Sequence, residues 1–253
     1  MAGSMTDTSS TTGTSSTTGA AAAADPRPVL LLGGTGTTGR RVAERLRRGG
    51  REVRVASRAA HPSFQWGDPD TWGAVLDGAG AAYVAYAPDL AVPGAPEVVT
   101  AFARTAVERG VQRLVLLSGR GEEEAQRAEA RVREVAPATV VVRASFFMQD
   151  FDEKFLRDHV RAGVVRLPVG PVAEPFVDAE DVADVAAAAL LDHRHTGATY
   201  EVSGPHLLTF PAALTSISSA LDRRVDYEQV SVESYRESLS EQGVPADVVA
   251  LLT

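Results

Sequence analysis

The sequence has no cysteine, which excludes disulfides, thiolate metal ligation and a cysteine nucleophile. Lysine occurs once, at Lys154, and the arginines are dispersed along prospective helices rather than gathered into a stripe. With a net charge of −8 and a pI of about 5.2, the electrostatic footprint of a nucleic-acid binder is missing. No run approaches the roughly 20 apolar residues that span a bilayer. These absences leave a small molecule as the expected partner, with neither nucleic acid nor membrane involved, and the cytoplasm as the expected location. What is present is 253 residues, 44% of them hydrophobic, enough to bury a sizeable core. The abundance of alanine and arginine beside a single lysine has the look of a bacterial protein of high GC content.

Residues 1–26 are mostly Ser, Thr, Gly and Ala with no hydrophobic period, too polar to offset their ordering entropy, so a disordered tail is expected there. The tail lacks the basic and apolar regions of a secretory signal, and Met5 offers an alternative start. Immediately afterwards comes Val29-Leu30-Leu31-Leu32-Gly33-Gly34-Thr35-Gly36-Thr37-Thr38-Gly39-Arg40, an apolar run broken by glycines and resumed as Val42 and Leu46. That is strand, tight turn, helix, the setting in which a glycine triplet binds a dinucleotide. Gly33 suits a positive φ, Gly36 allows a pyrophosphate to approach the backbone, and Gly39 allows the helix to pack close to its strand. The anion would rest on helix N-terminal N–H groups, with the hydroxyls of Thr35, Thr37 and Thr38 beside it.

A second strand is expected over residues 52–57, ending in Ser57-Arg58. An acidic residue at this point, roughly 20 residues beyond the glycines, bonds the ribose of NAD, whereas an arginine accommodates the 2′-phosphate of NADP. Here a guanidinium stands and no carboxylate does, so NADP(H) is expected over NAD(H). A strand over residues 81–87 would place Tyr86 and Ala87 at the cofactor, because ligands lie outside the carboxyl ends of such strands. Leu114-Val115-Leu116-Leu117-Ser118 reads as a strand buried on both faces, with Ser118 at its carboxyl end.

The pattern Gly-Gly-Thr-Gly-x-x-Gly directly after the first strand resembles the NmrA-like group of atypical short-chain dehydrogenases/reductases, from about Pro28 to the C-terminus. The resemblance implies an α/β fold, a Rossmann-type doubly wound parallel sheet with a smaller C-terminal α+β substrate lobe. The division expected is residues 27–160 for the dinucleotide-binding unit and 161–253 for the lobe, in a monomer or homodimer. It also implies a third strand near Phe64-Gln65-Trp66, with Asp68 beside the adenine. Ordinary short-chain dehydrogenases follow their serine with Tyr-x-x-x-Lys, which is absent after Ser118, so the standard proton relay cannot operate. Ser118 stays a candidate that borders the cofactor and donates to substrate. Ala144-Ser145-Phe146-Phe147-Met148-Gln149-Asp150-Phe151 resembles the segment that walls the substrate pocket, with Asp150 where asparagine is common, and Phe146, Phe147, Met148 and Phe176 are the expected substrate contacts. The sequence ends at Thr253, where related chains usually continue, implying a shortened tail.

Other groups read more plainly. Glu122, Glu123 and Glu124 fit acids stabilised at a helix N-terminus, with a general acid as the alternative. Asp181 and Asp184 fit the first turns of a helix capped by Asp178, Trp66 and Trp72 fit aromatics buried under a loop, and His193 and His195 have no third ligand near them, so no metal is expected. The function expected is reduction of a small apolar carbonyl, iminium or quinone-like substrate by NADPH, in specialised metabolism. A redox-neutral cyclase or isomerase keeping the nucleotide site, and an NADP(H)-sensing regulator, are the alternatives.

Overall fold

A computed structural model describes residues 25–253, so all but the last two positions of the expected disordered tail lie outside the described residues. The chain opens with β1 (Val29–Leu32), buried along its whole length, and turns at the glycines into α1 (Thr37–Arg48). Val42, Ala43 and Leu46 form the buried stripe of α1, while Arg40, Glu44, Arg47 and Arg48 face water. Gly49 and Gly50 end the helix, Gly50 at φ +73° with its N–H returning to the Arg47 carbonyl. There follow β2 (Val53–Ala56), α2 (Trp72–Leu76), β3 (Ala81–Val84), α3 (Ala95–Glu108), β4 (Arg113–Gly119), α4 (Glu123–Val135) and β5 (Val140–Ala144). The rest comprises α5 (Arg157–Ala162), β6 (Val164–Leu167), β7 (Ala173–Glu174), α6 (Ala179–Leu191), β8 (Thr199–Val202), β9 (Leu208–Thr209), α7 (Phe210–Leu221), β10 (Asp226–Gln229), α8 (Val232–Glu241) and α9 (Ala246–Leu252).

Six strands pair in parallel in the order β2-β1-β3-β4-β5-β8, with Val29 opposite Val53 on one side and Ala81 on the other. The order reverses at β1, so the crevice where an open α/β sheet takes its ligand lies at the carboxyl ends of β1 and β3. One face, carrying Leu30, Leu32, Leu114 and Leu116, packs on α2, α3 and α4. The other, carrying Val29, Leu31, Val115 and Val142, packs on α1 and α6. A third core gathers Phe151, Leu156, Val165, Phe176, Phe210 and Tyr235 beneath the two small pairings β10-β6 and β7-β9. The Rossmann-type sheet and the smaller lobe are therefore both present.

Two features depart from expectation. The chain recrosses the division expected at residue 160, because α6 covers the main sheet and β8 extends it beside β5. No third strand forms at residues 64–66. The Gln65 backbone instead closes a local turn, its N–H donating to Thr71 Oγ1 at 3.1 Å and its carbonyl accepting from Trp72 Nε1 at 2.9 Å. Those groups are then unavailable for a ladder along β2. Among the described residues, no helix is long and apolar enough to cross a membrane.

Candidate functional site

Gly33 stands at φ +74°, a conformation reserved in practice for residues without a Cβ. The Gly36 N–H turns back to the Gly33 carbonyl at 2.8 Å. A Cβ on Gly39 would lie 2.2 Å from the Gly33 oxygen, so the first turn of α1 sits directly on the strand exit. Gly36 caps α1 without a side-chain hydrogen bond, and the first turn carries no acid. The N–H groups of that turn, with the positive end of the helix dipole, therefore point at the crevice without a neutralising carboxylate. Thr37 Oγ1 is buried and has no hydrogen-bond partner, which a phosphate oxygen would supply. Thr38 differs from expectation: its Oγ1 accepts from the Tyr83 hydroxyl at 2.8 Å inside the core, leaving its N–H to serve an anion. Thr35 is exposed at the lip. These residues fit a dinucleotide pyrophosphate.

Beyond β2, Ser57 is half-buried and Arg58 exposed, and among the described residues the Arg58 guanidinium has no carboxylate partner. Asp68 caps the short turn at Pro69–Thr71, accepting from the Asp70 N–H at 3.2 Å. Trp72 is buried and Trp66 half-buried, its ring 4.9 Å from that of Tyr86 and 5.3 Å from that of Phe102. Tyr86 and Ala87 leave the carboxyl end of β3 at the crevice. Partial burial, then the negative field of Asp247 on α9, raises the Tyr86 hydroxyl above its ordinary pKa.

At the end of β4 the expectation for Ser118 is corrected. Its side chain is 5% exposed and its hydroxyl donates to Glu129 Oε1 at 2.6 Å, away from the crevice. Glu129, 3% exposed on α4, also accepts Arg143 Nη2 at 2.7 Å and Nε at 3.0 Å, and Arg143 reaches Glu201 at 3.3 Å. A buried carboxylate satisfied on both oxygens locks α4 to β5. The physical reason is register: side chains alternate along a strand, and Ser118 shares the face of Leu114 and Leu116, which lies under α4. Gly119 shares the opposite face.

Glu122 separates from Glu123 and Glu124. The latter two occupy the exposed first turn of α4, as expected of acids there. Glu122 precedes the helix, half-buried, with its carboxyl lying over Gly119. Desolvation, then the charge of Asp89 in the segment after β3, pushes this carboxyl up to about 7.

The segment leaving β5 divides its aromatics. Phe176, expected to face substrate, is 3% exposed and clasped by Phe146, Phe151 and Phe210 at centroid distances of 5.3–5.6 Å, so it is core. Phe146 is half-buried against the same cluster, Phe147 half-buried against the main sheet, and Met148 is 43% exposed. Gln149 fixes this segment to α6, donating to Asp178 at 2.9 Å and accepting the Ala179 N–H at 2.8 Å. Burial pushes the Asp150 carboxyl up to about 6 against the opposing charge of Lys154. Asp184 is exposed and pairs with Arg45 of α1, and Asp181 is exposed, so neither enters the crevice. His195 Nδ1 lies 2.7 Å from the Tyr200 hydroxyl, and among the described residues no group of three potential ligands converges on a metal position.

The sequence carries a signal for both the buried ion pair and the placement of Glu122. A carboxylate at Glu129 inside the stripe Ala125, Ala128, Val132 demands a buried cation, and Arg143 is the charged residue within the apolar run of β5. A glycine at the end of β4 invites a neighbour into its side-chain space.

Among known proteins, no family model matches the chain. It is 30% identical over 231 residues to the uncharacterized oxidoreductase YesF of Bacillus subtilis, covering 87% of this chain and 80% of YesF. It is 27% identical over 244 residues to festuclavine synthase II of Penicillium roqueforti, covering 89% and 85%. A crystal structure of Citrobacter triphenylmethane reductase complexed with NADP(H) superposes with a TM-score of 0.73 at 16% identity, covering 89% of this chain and 87% of the reductase, and shares its fold.

Proposed function

The chain belongs to the NmrA-like group of atypical short-chain dehydrogenases/reductases, and on that premise we propose that it is an NADPH-dependent reductase of a small apolar carbonyl, iminium or quinone-like acceptor. The observation that carries this reading is the N-terminus of α1, where uncapped N–H groups, a positive-φ glycine and the unpartnered Thr37 hydroxyl converge on the sheet's switch point. Arg58, without a carboxylate partner, holds the 2′-phosphate and sets the preference for NADP(H) over NAD(H). Bound there, the nicotinamide supplies a hydride. Tyr86, Ala87 and the Phe147-Met148 exit of β5 flank the ring's side of the crevice, position the acceptor and keep water away from it. The likeness to a clavine-forming synthase supports a place in specialised metabolism.

The test is loss of NADPH absorbance with a panel of quinones, enones and iminium salts. Turnover with at least one class is expected. Nucleotide binding without turnover across the panel moves the assignment to a redox-neutral enzyme or a sensor.

A further inference from the structure

We propose that Glu122 is the acid that protonates the reduced acceptor, standing at the place where Ser118 was expected to act. The proposal rests on the reductase reading above. A Cβ built on Gly119 would fall 2.0 Å from Glu122 Oε2, 2.2 Å from Cδ and 2.5 Å from Oε1. The carboxyl therefore fills the side-chain space of the last residue of β4, on the face opposite Ser118 and at the edge where an open α/β sheet takes its ligand. A polar group from that edge thus reaches the crevice by way of the next element, not from the strand itself.

Every neighbouring charge is either negative or turned elsewhere. Asp89 faces Glu122 from the segment after β3, its own Oδ1 taken by the Ala91 N–H at 2.8 Å. Arg120 lies 3.6 Å from Glu201, and Arg127 pairs with Glu124 and Glu123. Among the described residues no cation or donor is recorded on the Glu122 carboxyl. A half-buried carboxyl without a partner is not a structural fixture, since structural carboxylates are paired. With its carboxyl raised to about 7, both the acid and the carboxylate forms are populated at neutral pH, so it can release and regain a proton, the condition for efficient general acid catalysis.

The step balances. In a simple carbonyl the acceptor carbon gains the hydride and the C=O π pair moves to oxygen; in a benzoquinone the hydride bonds to one carbonyl oxygen and the π pairs shift to make the ring aromatic, leaving the charge on the other oxygen. In either case an O–H bond forms on the charged oxygen as the O–H bond of Glu122 breaks. The carboxylate then regains a proton from water. A quinone needs this proton. A triarylmethane cation does not, because hydride alone neutralises it.

The experiment compares the wild-type chain with Glu122→Gln and Gly119→Ala, using NADPH with a benzoquinone and with a triarylmethane cation. The kcat/KM ratio of quinone to cation is expected to fall about 100-fold in Glu122→Gln. In the wild type, quinone reduction declines above pH 7 in a way that cation reduction does not. Difference infrared spectroscopy on the nucleotide-free protein should show a carboxyl titrating near pH 7 that vanishes in Glu122→Gln. In Gly119→Ala, where the methyl expels the carboxyl, it should return to the ordinary range, and the quinone ratio should fall as well. An unchanged ratio in Glu122→Gln, or no carboxyl titrating near neutrality, overturns the assignment. Failure of the wild type to turn over any member of the quinone, enone and iminium panel, or the cation, defeats the reductase reading instead, and the infrared result remains to tell the two failures apart.

Discussion

Replacing Gly39 by alanine adds one methyl group where α1 meets the exit of β1. The new Cβ would stand 2.2 Å from the Gly33 oxygen, 2.7 Å from the Gly34 Cα and 2.8 Å from the Gly33 carbonyl carbon. These are backbone atoms, so no side chain can swing aside, and ordinary contact requires the turn and the helix to part by about 1 Å. Overpacking of this kind costs about 1–3 kcal/mol, against which alanine in a helix gains about 1 kcal/mol over glycine. The net destabilisation is then roughly 0–2 kcal/mol, a fall in Tm of a few degrees for a chain of this size. Binding should suffer more, because the N–H groups aimed at the pyrophosphate shift with the helix, and losing one hydrogen bond to a charged group, about 1.5–3 kcal/mol, weakens NADPH by at least about 10-fold. Calorimetric titration with NADPH beside scanning calorimetry separates the two quantities. Gly67→Ala, where no atom lies within 4 Å of the added Cβ, is the control. If Gly39→Ala binds NADPH as tightly as the wild type, the turn does not cradle the pyrophosphate and the reasoning fails.

Three further outcomes follow from the charged groups. Glu129→Ala strands the Arg143 guanidinium and should cost about 3–5 kcal/mol in urea unfolding, whereas Ser118→Ala removes one hydrogen bond and should cost about 1 kcal/mol; equal costs would contradict the geometry of the triad. Hydrogen bonds from Arg41 and then Arg40 hold the Glu153 carboxyl down at about 2. The stability this lends is present above the ordinary glutamate range and lost as pH falls toward 2, so Glu153→Gln should cost about 1 kcal/mol at pH 7 after solvent screening and nothing near pH 2. For Glu122 the sign reverses: the native state holds a proton that the unfolded chain releases, so wild-type stability should fall between about pH 4.5 and 7. Glu122→Gln should flatten that slope in a series of unfolding curves, and an unchanged slope would contradict the burial of this carboxyl.

The parts of the fold legible in the sequence are those fixed by neighbours in the chain. Asp178 caps α6 and Thr209 caps α7 at the positions their side chains require, accepting from the Glu180 and Ala212 N–H groups. The glycines after β1 have one economical structural reading, and Gly33 and Gly39 take the roles their spacing assigns. What was not legible depends on which side of a strand a residue faces. Ser118 and Gly119 differ by one position and therefore by a whole face of the sheet. The same holds for contacts between distant segments: Arg143 meets Glu129 across two elements, and Phe176 disappears among Phe146 and Phe151 from the segment after β5 and Phe210 from α7, far apart in sequence. At Gln65 the competition between a ladder and a local turn was decided by the Thr71 hydroxyl, which no hydrophobic pattern records.

Calorimetric titration of the full chain with NADPH and NADH, repeated on Arg58→Ala, tests the account at its centre. NADPH should bind more tightly than NADH, and Arg58→Ala should weaken NADPH by at least tenfold while leaving NADH nearly as before, the difference being one charge-assisted phosphate contact. Heat from neither nucleotide would contradict the placement of a dinucleotide at α1, and an equal loss for both in Arg58→Ala would contradict the role of Arg58.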